Sequence, residues 1–124
     1  MATSGISYNG GILTGLTAKA GGLGTDTNHT AANTAIIGTT IVSTVATAGD
    51  SIMLPANAPQ NAHVTIINTG AAVLDVTPNV GGTINGGAVQ IQRGIATSTG
   101  ATFIQVAASS GLTWVADNTT APTA

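Results

Sequence analysis

The chain has 124 residues, 43% of them hydrophobic and 5% charged, with a net charge of −2. Its two bases, Lys19 and Arg93, cannot neutralise a nucleic-acid backbone or hold an anionic membrane surface, so both partner classes are excluded as expectations. The absence of cysteine removes disulfides and thiolate metal sites, and Tyr8, Phe103 and Trp114 are few aromatic walls for a small-molecule pocket.

In chain order, residues 1–38 read as a Gly-rich extended arm with sparse apolar anchors: Ile6, Tyr8, Ile12, Leu13, Leu16 and Leu23. Ile12, Leu13 and Leu16 have the spacing of one helical turn, but the flanking glycines oppose a stable helix. The stretch 31–37 (AANTAII) is compatible with a short helical turn. The arm is expected to gain order by lying on another surface.

Residues 39–117 read as a β-domain, because Thr, Val and Ile replace the strong helix formers. Thr39–Ala46 is the first expected strand, and Thr47–Asp50 turns into Ser51–Leu54, which Pro55 stops. His63–Asn68 alternates clearly, with Val64 and Ile66 on one face and Thr65 and Ile67 on the other. Val73–Thr77 follows, with mid-strand Asp75 expected on a solvent or partner face. Thr83-Ile84 precedes the turn signal Asn85-Gly86, and Ala88–Gln92 reads as a further strand. Arg93-Gly94 reads as a bulge before Ile95-Ala96, and Ala101–Ala107 and Leu112–Ala116 close the domain. Residues 118–124 read as a flexible C-terminal tail. Turn signals every 8–12 residues, with nothing helical between strands, predict an all-β fold. The expected form is an antiparallel sandwich or barrel-like domain of about eight short strands. No internal repeat is visible.

No chemical motif is complete. His29 and His63 are the only candidate bases, and no G-x-S-x-G elbow accompanies them. Asp50 and Asp117 fall in turns, where Asp serves turn chemistry, and nothing pairs them as an acid–base dyad. Asp26-Thr27-Asn28 begins like a calcium loop but lacks its bidentate Glu. Gly21, Gly22 and Gly24 complete neither a dinucleotide fingerprint nor a P-loop. The expectation is therefore no enzyme, no catalytic residue, no metal and no cofactor. Phe103 and Trp114 are expected in the core, and Tyr8, with little local core to join, on a neighbouring subunit. The N-terminus has neither a basic n-region nor an apolar h-region, and no run reaches the length of a membrane span, so synthesis and retention in a cytoplasm are expected.

Several stretches together resemble a known module: TVATAGDSIMLPANAP from Thr44, then VTIINTGAAVLDVTPNVGGTINGGA, then a closing strand with Trp114. Leu54-Pro55-Ala56, Asn68-Thr69-Gly70-Ala71 and Thr83-Ile84-Asn85-Gly86 carry the resemblance, and Leu16-Thr17-Ala18 with Gly21-Gly22 extends it loosely into the arm. The pattern is similar to a small β-domain of tailed-bacteriophage virion structural proteins, over roughly residues 40–116. Such modules occur in capsid decoration (cement) proteins and in tail and fibre proteins, and the short length favours decoration. The resemblance implies a homotrimer on the capsid surface of a virion assembled in the host cytoplasm, bound to the major capsid protein between capsomers. Ile6, Tyr8, Ile12, Leu13 and Leu16 are the expected partner-binding residues. A nearly uncharged Thr/Ala surface suits burial between subunits, since few charges need desolvation. Two other readings are a tail module binding a receptor or glycan, which the scarcity of aromatics opposes, and an ice-binding or adhesin-like protein, suggested by Thr and Ala richness. A flat ice-binding face built from a solenoid would need regular Thr spacing, and the sequence shows no such repeat.

Overall fold

In the computed structural model, residues 11–19, 33–108 and 111–122 are described. Among them the protein is all-β, with nine strands and no α-helix. These are β1 (Gly11–Thr17), β2 (Gly38–Thr44), β3 (Ser51–Met53), β4 (His63–Asn68), β5 (Leu74–Thr77), β6 (Thr83–Ile84), β7 (Arg93–Ile95), β8 (Thr99–Gln105) and β9 (Thr113–Ala116). Six form one sheet in the order β1-β2-β4-β8-β9-β6, and three form a second in the order β3-β5-β7.

The pairing is mixed, which corrects the antiparallel expectation. β1 with β2, β2 with β4, β3 with β5 and β6 with β9 run parallel. β4 with β8, β8 with β9 and β5 with β7 run antiparallel. Parallel neighbours need a long crossover, which is commonly a helix. Here the other sheet supplies it: the chain leaves β2, contributes β3 to the small sheet, and returns as β4 beside β2. Gly11 lies beside Gly38, Gly38 beside Val64, and Ser51 beside Asp75. Successive windings thus stack at intervals of 24 to 27 residues, a solenoid-like arrangement rather than a plain sandwich or barrel. The turns stack as well. Gly49 N donates to Val73 O (3.0 Å), Asp75 N to Asp50 O (2.9 Å) and Leu54 N to Thr77 O (2.9 Å). The antiparallel strands β7, β8 and β9 then close the winding.

The central strands of the six-stranded sheet bury alternate residues, whereas β5 is buried along its whole length. Thr40 and Val42 of β2, Val64, Ile66 and Asn68 of β4, and Ala101, Phe103 and Gln105 of β8 are buried. Of these, Val42, Val64, Ile66, Ala101 and Phe103 join Ile52, Leu54, Leu74, Val76 and Ile95 from the small-sheet side and Trp114 of β9 in one continuous core. Burying each Val, Leu, Ile or Phe side chain among them stabilises by about 1.5–3 kcal/mol.

Segment 11–17 belongs to this core rather than standing apart from it. Leu13 pairs with Thr40 and Leu16 with Val42, so three steps along β1 match two along β2. The extra residue is a β-bulge, made at Gly15 with φ +72°, a value glycine adopts without steric cost. The bulge turns both Leu13 and Leu16 inward, which explains a helix-like spacing in an extended strand. At the other terminus, Gly94 and Thr120 exchange two backbone bonds of 2.9 Å, and the Arg93 guanidinium donates to Thr119 Oγ1 (3.2 Å). Residues 118–122, read from sequence as a tail, are thereby joined to β7. A Cβ on Gly94 would lie 2.6 Å from Thr120 Oγ1, so this close crossing requires glycine.

Two further expectations are corrected. Ala88–Gln92 is a turn: Ile91 N donates to Ala88 O (3.2 Å), and Gln90, at φ +62°, donates from its N to Gly82 O (2.8 Å). Arg93-Gly94 is the start of strand β7 rather than a bulge.

Candidate interaction face

The expected partner-binding residues fall in different places. Ile6 and Tyr8 lie outside the described residues, as do His29, Asp26, Asn28 and the glycines at 21, 22 and 24. Ile12 is 70% exposed, whereas Leu16 is 8% exposed within the chain's own core and Leu13 packs against that core. β1 therefore exposes Ile12, while Leu13 and Leu16 pack it onto the core beside β2.

Ile12 does not stand alone. The outward side chains of the six-stranded sheet form in-register rows, because paired residues on neighbouring strands share a face. One row runs Ile12–Thr39–Thr65–Thr102 across β1, β2, β4 and β8. Thr65 Oγ1 and Thr102 Oγ1 are 3.2 Å apart and share a hydrogen bond. Asp117 ends this row, its Oδ1 accepting from Thr102 N at 2.8 Å. On one side lies the row His63–Ile104–Val115. On the other lies Ile41–Ile67–Gly100, where Ile67 Cγ1 would sit 3.2 Å from a Cβ on Gly100 and so covers the gap left by the glycine. Val106 continues the alternation of Thr102 and Ile104 on the same face. Ile12, Val106 (39% exposed) and Val115 (48% exposed) are three of the exposed large hydrophobic residues, and all belong to this face.

The face carries two shallow depressions that meet at His63. One of about 790 Å³ is lined by Ile12, Ile37, Thr39, Thr65 and the loop from Pro59 to His63. The other, about 430 Å³, is lined by His63, Thr102, Ile104, Val115, Ala116 and Asp117. His63, Thr102 and Asp117 thus share a depression, but His63 and Asp117 are not bonded as a relay would need. His63 Nδ1 is bonded to Asn61 O at 2.8 Å, and Asp117 Oδ1 to Thr102 N. A nucleophilic relay needs the base oriented by the carboxylate and bonded to the hydroxyl, and these bonds build neither link.

Of the other acidic residues, Asp50 does turn chemistry: Thr47 N donates to its Oδ2 (3.2 Å), and Asp50 N donates to Thr47 O (3.0 Å). Asp75 is fully buried in β5, not on a solvent face as its mid-strand position suggested, because both sides of β5 are covered. Among the described residues, no three His, Cys, Asp or Glu side chains cluster as metal ligands would.

Sequence reading separated Thr65 and Ile67 from Val64 and Ile66, so the outward side of β4 was legible. The face as a whole was not, because nothing local indicates that β2 and β8 flank β4. The chain matches no known protein family and no curated protein.

Proposed function

We propose that the chain is a non-enzymatic virion structural protein that decorates the outside of a tailed-phage capsid, binding the major capsid protein between capsomers as a homotrimer. The observation that supports this reading is the interaction face itself: rows of Thr, Ile and Val in which His63 and Asp117 are the titratable groups. Burying such a face removes few charges from water and gains apolar burial at every row. Attachment to a repeating shell multiplies a weak contact, since many copies engage one particle. Residues 1–10, with Ile6 and Tyr8, and the exposed Ile12 are the proposed shell contacts.

Copy number per particle tests the reading. Virions carrying this chain are purified, and the chain is quantified by mass spectrometry against the major capsid protein. A simple ratio to the shell protein supports decoration, while a few copies per particle moves the chain to the tail and favours receptor or glycan binding. Absence from particles overturns a virion role. A variant lacking residues 1–10, mixed with bare shells, should bind them less tightly than the full chain does.

One observation favours a second reading. Thr39, Thr65 and Thr102 stand in register on adjacent strands of a winding sheet, which is the regular Thr spacing an ice-binding face requires. Thermal hysteresis of the purified chain measures it directly.

A further inference from the structure

We infer that the outward face of the six-stranded sheet pairs with the same face of a second copy, about a two-fold axis that runs parallel to the strands between β4 and β8. The pairing competes with shell binding for this face, so a copy docked on a shell through it is unpaired, and a three-fold association would use other surfaces.

The order of the rows carries it. The threonine row lies between Ile104 and Val115 on one side and Ile41 and Ile67 on the other, so apart from His63 the pattern across the face is apolar, hydroxyl, apolar. An isologous contact must be complementary to itself. An in-plane two-fold axis through the middle of this face sets the threonine row against the partner's threonine row and apolar rows against apolar rows. Asp117, at one end of the threonine row, selects the axis direction. An axis along the row would bring the two Asp117 carboxylates together. An axis along the strands reverses the row instead, so Asp117 meets Thr39 of the partner subunit, whose hydroxyl can donate to the carboxylate oxygen that Thr102 N does not occupy. The same reversal seats His63 over the partner's Ile104.

The size fits a reversible pair. Strands β1, β2, β4, β8 and β9, four to seven residues long at ~3.3 Å per residue and about 4.8 Å apart, give on the order of 500 Å² in projection per copy. Two copies then bury about 1,000 Å², the lower limit for a specific contact, which predicts association that dilution reverses. Aligned packing of two sheets face to face is a common arrangement of β-structure.

Sedimentation velocity of the full chain over a dilution series tests the pairing. The wild-type mass is expected to halve on dilution, and Val115→Lys, at an exposed position, is expected to hold the halved mass throughout with unchanged circular dichroism. Val89→Lys, exposed on the 88–92 turn outside the strands that carry these rows, is expected to pair like the wild type. A wild-type mass that never changes overturns the inference, as does Val115→Lys pairing undiminished. So does a wild type that remains unpaired while showing thermal hysteresis, which gives the face to ice. The axis has its own test, because the chain has no native cysteine. A short bismaleimide should join Thr39→Cys copies to Asp117→Cys copies in a mixture, and neither variant to itself. Self-linking of Asp117→Cys alone would overturn the axis. Shell binding is scored separately, so failure of the pairing and failure of the decoration reading give different results.

Discussion

Asn85 closes the sheet by acting as a strand residue with its side chain. Its Oδ1 accepts from Ala116 N at 2.7 Å, and its Nδ2 donates to Ala116 O at 3.1 Å. The backbone at Asn85 has φ +55°, in the left-handed region that Asn tolerates better than most residues. β6 is two residues long and sits at the sheet edge, so this amide extends its pairing with β9 beyond Trp114.

Asn85→Asp should therefore destabilise although the shape is kept. The carboxylate cannot donate to Ala116 O and sets two acceptors facing each other. A loss of about 1–2 kcal/mol is expected, read as a lower urea midpoint at constant m-value. Asn85→Gly keeps the turn, loses both bonds, and should fall in the same range.

Asn68 performs a similar task inside the protein. It is fully buried on β4, and its Nδ2 donates to Ala72 O (2.9 Å) and to Ile95 O (3.0 Å). Its Oδ1 accepts from Gly70 N at 2.9 Å. One amide thus holds the β4–β5 turn and reaches β7 in the other sheet. Asn68→Ala leaves buried backbone groups without partners. It should cost about 3 kcal/mol or more, well above a typical surface change, in equilibrium unfolding.

β1 provides a paired test of what its apolar residues do. Leu16→Ala opens a cavity in the core and should cost about 2–5 kcal/mol. Ile12→Ala, at an exposed position, should stay within about 0.5 kcal/mol of wild type. If β1 were a detached arm, both substitutions would be silent in chemical denaturation.

Trp114 is fully buried, and its Nε1 has no hydrogen-bond partner among the described residues. Trp114→Phe removes that unpaired donor along with some packing volume, so the two effects oppose each other. The loss should be smaller than the about 3–5 kcal/mol expected for Trp114→Ala. Thermal unfolding followed by far-ultraviolet circular dichroism compares the variants, because both substitutions remove the single tryptophan fluorophore.

The sequence by itself determined the β character. Thr, Val and Ile at alternating positions favour strands, and Pro and Gly clusters stop them, so His63–Asn68 and Thr83–Ile84 were legible to the residue. It also determined that Phe103 and Trp114 would be core anchors, since large apolar rings on alternating strands have little other place to go. Only the tertiary structure decided that β2 lies parallel to β4, with β3 between them in the chain but in the other sheet. Inside/outside alternation is the same for a parallel and an antiparallel neighbour, so local sequence carries no sign of the direction. The stacked windings left no repeat because an inward position accepts Thr40, Ile66 or Ala101 alike, so geometric period does not require sequence period. Leu13 and Leu16 both turned inward because of a bulge at Gly15, a feature visible only once β2 lay beside β1. The interaction face has the same origin. Its threonines are 26 and 37 residues apart along the chain, and backbone hydrogen bonds between strands bring them into one row.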